Sequence, residues 1–157
     1  TTILPNVGVF KYKGAFFQLV DLPPISSQNI NDIPNGRSIL TLVRNCDLIL
    51  LTIDLTQDIN WQLDCLLGVL DQARIIVTRD KPPITFKKLS SGGIQIFGIE
   101  HTPFDSSYLV ELIRNMGIVN ARIDIFGDVD YIDVINALDR RATFKKTIIN
   151  FATFYFV

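Results

Sequence analysis

The chain has 157 residues, 48% of them hydrophobic and 20% charged, with a formal net charge of −1. That is enough for one domain with a sizeable core, and the composition excludes a disordered polymer. The near-zero charge excludes bulk electrostatic capture of nucleic acid or membrane, and the local pairs Lys87-Lys88, Arg140-Arg141 and Lys145-Lys146 read as solvated surface.

Val7 to Lys11 and Ala15 to Val20 read as two strands, with Lys13-Gly14 as a tight turn because glycine tolerates φ > 0. The second run, Ala15-Phe16-Phe17-Gln18-Leu19-Val20, is nearly continuous in apolar residues and predicts a strand buried on both faces. Asp21 and then Pro23-Pro24 stop it. Residues 24–36 are loop-like. Asn35 is a candidate cap for a helix running to about Arg44, with Ile39, Leu40 and Val43 on one face. Residues 47–54 form a second buried-strand run. A helix is expected near 58–70, with Leu63, Leu66, Leu67 and Leu70 at helical spacing, and a strand over 74–77. This order is that of an α/β fold. In the second half, Ile84 to Lys88 and Ile94 to Phe97 flank Ser91-Gly92-Gly93 and predict a hairpin. A helix near 105–116, a strand over 119–126, a helix near 130–139 and an apolar strand over 148–157 complete the chain.

Cys46 and Cys65 sit in apolar stretches outside any Cys-x-x-Cys pair and read as two buried free thiols in a reducing compartment. His101 is the single histidine, so no metal is expected on the thiols. No apolar run is long enough to span a membrane and no basic start precedes an apolar core, so no membrane partner is expected and the cytoplasm is the expected compartment.

In a parallel α/β sheet, ligands bind beyond the carboxyl ends of the strands. Asp21 and Asp54 both follow apolar strand runs. An aspartate there can hold magnesium, often through water, or can cap the turn that follows, which is the commoner arrangement.

The ordered motifs carry a resemblance. Thr1-Thr2-Ile3-Leu4-Pro5-Asn6-Val7-Gly8 resembles the switch I segment of the Obg-like GTPases. Lys11-Tyr12-Lys13-Gly14-Ala15, then Gln18-Leu19-Val20-Asp21-Leu22-Pro23, resembles the strand pair entering their switch II. Asp47-Leu48-Ile49-Leu50 fits the next core strand. Lys81-Pro82-Pro83-Ile84-Thr85-Phe86-Lys87-Lys88, followed by Gly92-Gly93-Ile94, looks like the segment typical of the developmentally regulated GTP-binding (DRG) branch, and is the most specific piece. Asn120-Ala121 and the stretch from Asp130 to Leu138 are similar to what precedes that branch's last core strands.

The resemblance implies a partial P-loop GTPase-type α/β sheet with flanking helices and a small α+β insertion. It divides the chain into a GTPase-like core over 1–80, an insertion-like segment over 81–140 and a returning core strand over 141–157. It implies a GTP-dependent switch linked to translation or the ribosome, with guanine nucleotide and magnesium as ligands and the ribosome or a regulatory protein as partner. Thr2 matches the switch I threonine that binds magnesium through its hydroxyl and reaches the γ-phosphate through its backbone, with Thr1 as the alternative one position away. Asp21 matches the aspartate of the switch II Asp-x-x-Gly motif, which binds magnesium through water.

Three features depart from that family. No Gly-x-x-x-x-Gly-Lys-Ser/Thr occurs, and in the family this phosphate loop lies upstream of switch I. No Asn-Lys-x-Asp occurs, and that guanine-reading motif would be due at about Val157. Pro24 replaces the switch II glycine and has no N–H for the γ-phosphate. Ile25 to Asn35 also contains neither glycine nor a basic residue. The expectation is that the chain by itself binds no GTP or magnesium and is inactive. A non-catalytic GTPase-like interaction domain is the competing reading. RNA binding by the hairpin around Phe86-Lys87-Lys88 is weaker than an exposed amphipathic hairpin. His101 reads as a loop residue and Trp61 as packing at a helix start.

Overall fold

The computed structural model describes residues 4–153. The described residues divide into two compact units, one ending at Thr78 and resuming at Thr143, the other Arg79–Ala142. Both are mixed α/β.

In the first unit, β1 (Asn6–Tyr12) and β2 (Ala15–Asp21) form an antiparallel hairpin with Phe10 opposite Phe17. Lys13 and Gly14 both take positive φ, 47° and 85°, the twist that a two-residue hairpin turn needs. The hairpin pairs with no other described strand, and all its residues but the half-buried Val20 are exposed. The expectation of a β2 buried on both faces is therefore overturned. Among the described strands its apolar run pairs with β1 alone, and no second strand joins that hairpin to bury it.

A short 3-10 helix (Ile30–Asp32) leads to α1 (Gly36–Asn45). Asn35 stands at the cap position in the left-handed region, φ 58°, without a side-chain cap bond. The predicted stripe is present, with Ile39, Leu40 and Val43 buried. β3 (Leu48–Asp54) lies parallel to β9 (Lys146–Ala152). Ile49, Leu51 and Ile53 face the core, whereas Leu48 and Leu50 on the other face are exposed, so only half of the expected burial of this strand is realised. α2 (Ile59–Gln72) starts at Asp58, whose carboxylate accepts from the Trp61 N–H at 2.9 Å. Trp61 itself is half exposed, which corrects its reading as a packing residue. β4 (Ile75–Ile76) pairs in parallel with β8 (Thr143–Phe144), and Arg44 ties the two by donating to the Ala73 carbonyl and the Thr143 hydroxyl. The core joins Ile33, Ile39, Leu40 and Val43 to Ile49, Leu51, Val69, Leu70 and Ile75.

The second unit holds β5 (Ile84–Lys88), β6 (Ile94–Phe97), α3 (Ser106–Asn115), β7 (Ala121–Ile125) and α4 (Tyr131–Leu138). Both strands expected as a hairpin exist, but they do not pair with each other. β7 lies between them, antiparallel to β5 and parallel to β6. Gly92 and Gly93 do take positive φ, yet Asn120 inserts its side-chain carbonyl onto the Gly93 N–H at 2.8 Å and brings β7 into the gap. α4 opens with a capping box in which Asp130 and Asp133 exchange side-chain bonds with each other's backbone N–H. Leu109, Ile113, Ile123, Ile125, Val134 and Leu138 form the core. Of the two thiols, Cys65 is buried and Cys46 only partly so, with its S–H on the Val43 carbonyl. Burial, then the neighbouring Asp64, pushes the Cys65 thiol up from its ordinary value.

Candidate nucleotide site

Asp21 is the last residue of β2, exposed, and opposite Asn6 across the hairpin. An irregular segment follows. Leu22, Ile25 and Ile30 turn onto the core, while Pro24 is exposed. Order in this segment gathers in its second half. The Ser27 hydroxyl donates to Asp32 at 3.2 Å, and the Asn29 side chain accepts from the Asn31 N–H at 3.0 Å. From α2, Gln72 accepts from the Ile30 N–H and donates to the Gln28 carbonyl. Gln72 thus anchors the loop from 42 residues away in sequence. A single glutamine at a helix end carries no sequence signal for that role. Gly36 closes the segment, because a Cβ there would press on the Ile30 carbonyl.

Asp54 ends β3 and is only 9% exposed. Its carboxylate accepts from the Thr56 N–H at 2.9 Å, the Thr56 hydroxyl at 2.7 Å and Gln57 at 3.2 Å. Gln62 reaches back to the Asp54 backbone at both its N–H and its carbonyl. Asp54 therefore caps the turn after the strand, the commoner of its two readings. The Leu55 N–H on the Ala152 carbonyl continues the β3–β9 pairing at the carboxyl end of both strands.

Thr1 and Thr2 lie outside the described residues. Asp21 and Pro24 are three residues apart on one segment, and among the described residues no shared ladder brings Asp21 to Asp54, since there β2 pairs only with β1 and β3 only with β9. Among the described residues no group of three or more histidine, cysteine, aspartate or glutamate side chains could cage a metal. A magnesium ion carried on nucleotide phosphates needs only one or two carboxylates, the remaining positions being water and phosphate oxygen, and an exposed Asp21 suits that share. No described helix is long and apolar enough to cross a membrane.

No protein-family model matches the chain. Known proteins do. A developmentally-regulated GTP-binding protein 1 homolog of Dictyostelium discoideum is 33% identical over 144 residues, 86% of this chain and 38% of the relative. Developmentally-regulated GTP-binding protein 2 of Mus musculus is 33% identical over 139 residues, again 86% of this chain and 38% of the relative. Ribosome-interacting GTPase 1 of Saccharomyces cerevisiae is 29% identical over 146 residues, 90% of this chain and 39% of the relative. The chain spans well under half the length of these relatives. With the motifs in family order and this similarity over most of its length, the chain belongs to the developmentally regulated GTP-binding protein family.

Proposed function

We infer that the protein carrying this chain is a GTP-dependent switch of the Obg type, with residues 21–36 as its second switch segment and Asp21 holding magnesium through water. The observation that supports it is the placement of Asp21. It is an exposed carboxylate at the carboxyl end of an apolar strand, followed at once by a segment ordered by side-chain bonds rather than by a ladder. A segment held that way can be reordered by a ligand at its start. Thr2, or its neighbour Thr1, takes the switch I role at magnesium and the γ-phosphate. Magnesium neutralises charge developing on the phosphates, and the protein's share is to position the phosphates and the attacking water. The name of the yeast relative supports a cytoplasmic role at the ribosome. The 157 residues contain neither Gly-x-x-x-x-Gly-Lys-Ser/Thr nor Asn-Lys-x-Asp, so GTP binding and hydrolysis are assigned to the whole protein and not to this stretch alone.

Pro24 favours a second reading, a GTPase-like domain kept for protein contacts, because it offers no N–H at the position of the switch II glycine. The test uses the longest natural polypeptide that contains the chain. With magnesium present, the switch reading expects GTP to bind, Asp21→Ala to weaken GTP more than GDP, and Pro24→Gly to raise kcat. A polypeptide that binds neither nucleotide removes the switch reading and leaves the contact domain.

A further inference from the structure

The segment after Asp21 has two parts that differ in how they are held. Residues 22–26 make no hydrogen bond among the described residues. Leu22 and Ile25 rest on the core by apolar contact alone, which has no preferred direction and leaves the backbone free to shift. From Ser27 onward the chain is tied down. The Ser27 hydroxyl takes the Asn29 N–H at 3.1 Å and donates to Asp32, and the Asp32 N–H reaches the Asn29 carbonyl at 3.1 Å.

Gln72 stands at the boundary between the two parts. It is the last residue of α2 and is exposed. Both ends of its amide are used: the oxygen accepts from the Ile30 N–H at 3.3 Å and the nitrogen donates to the Gln28 carbonyl. Among the described residues these are the only hydrogen bonds from residues 22–30 to a helix or strand beyond the segment. Gly68, one turn earlier on the same helix, also lies against Gln28, since a Cβ there would meet the Gln28 Cβ and carbonyl oxygen at 3.8 Å. Holding a long side chain still in water costs conformational entropy, and here both amide bonds offset that cost.

We propose that Gln72 is a positioning residue for the segment after Asp21: by fixing Gln28 and Ile30 to α2 it confines nucleotide-driven rearrangement to residues 22–27, and so favours GTP over GDP. The proposal rests on the reading of residues 21–36 as the second switch segment. A short free stretch between two fixed ends has less freedom to lose when the γ-phosphate orders it than a segment loose along its whole length. GDP has no γ-phosphate to engage the segment, so its affinity does not depend on the anchor. Releasing Gln28 and Ile30 therefore weakens GTP and leaves GDP unchanged.

The test uses the longest natural polypeptide that contains the chain, with magnesium, and reads amide exchange at Ile30 together with the affinities for GTP and GDP. In Gln72→Ala the Ile30 amide exchanges faster and the GTP-to-GDP affinity ratio falls, each by roughly three- to ten-fold. Alanine favours the helix and the position is exposed, so the thermal melt stays unchanged. Gln72→Glu keeps an acceptor for the Ile30 N–H but has no donor for the Gln28 carbonyl until it is protonated. Its affinity ratio matches that of the alanine variant near neutral pH and returns toward wild type as pH falls to about 4.5. Asp71 and Arg74 beside it, and Asp32 on the segment, are shared with the wild type, so comparison at each pH removes their contribution. An unchanged affinity ratio in Gln72→Ala, with or without faster Ile30 exchange, overturns the proposal and leaves the switch reading standing. A lowered ratio in the glutamate variant that does not recover in acid marks a general packing effect and overturns it too. A wild-type polypeptide that binds neither nucleotide overturns the switch reading itself, and this proposal with it.

Discussion

Arg79 shows how a few atoms set the local stability of the second unit. Its guanidinium contacts Asp130 at 2.7 Å and Asp133 at 3.3 Å, the same two residues that form the capping box of α4. The hydrogen bond from Arg79, supported by the Asp133 backbone N–H, holds the Asp130 carboxyl below its ordinary value. A depressed carboxyl pKa in the folded state stabilises at neutral pH, and the stabilisation is lost as pH falls through the folded value. Arg79→Ala is therefore expected to lower the neutral-pH denaturation midpoint and to flatten its fall into acid, as read by urea titrations across a pH series. Asp130 and Asp133 are legible in sequence as a helix start, because a capping box is a local pattern. Arg79 is not, since it joins from 51 residues away.

At the scale of elements, periodicity is strong evidence for existence and weak evidence for pairing. The strands at 84–88 and 94–97 and the helices over 106–115 and 131–138 all stand where alternation and helical spacing place them. Their pairing differs because the turn signal of Ser91-Gly92-Gly93 is local, whereas β7 reaches both strands by way of α3. Gly98 helps to admit it: with φ at 77°, a Cβ there would run into the Ile125 carbonyl oxygen. α3 seals the sheet with Leu109 and Ile113, each 1% exposed. Ile113→Ala removes buried methylenes with little room to collapse and is expected to cost about 2–5 kcal/mol, measured by chemical unfolding. Leu112→Ala, a partly buried neighbour on the same helix, is expected to cost less.

Taken whole, the chain leaves unusual apolar surface in water. The hairpin exposes Val9, Phe10, Phe16 and Leu19, Phe16 at 72%, and the open face of the β3–β9 pair exposes Leu50 and Ile148. A two-stranded hairpin is marginal by itself, and parallel strands are ordinarily covered on both faces. The chain in isolation is expected to bind a hydrophobic dye and to self-associate as concentration rises. Phe16→Lys together with Leu50→Lys is expected to reduce both, in dye fluorescence and in sedimentation velocity. An undiminished dye signal in that variant would place the sticky surface elsewhere.

Composition, alternation and ordered motifs by themselves determined the α/β class, nearly every strand and helix, and the family. Each of those depends on residues close in sequence or on a linear order of short patterns. The turn role of Asp54 was also open to such reading, since its partners Thr56 and Gln57 are neighbours. Only the tertiary structure decided that the apolar run of β2 is exposed, that β7 separates β5 from β6, and that Gln72 anchors the loop after Asp21. Burial, strand order and long-range hydrogen bonds depend on which surfaces meet. An apolar run records only that a surface favours being covered, not whether anything in the same chain covers it.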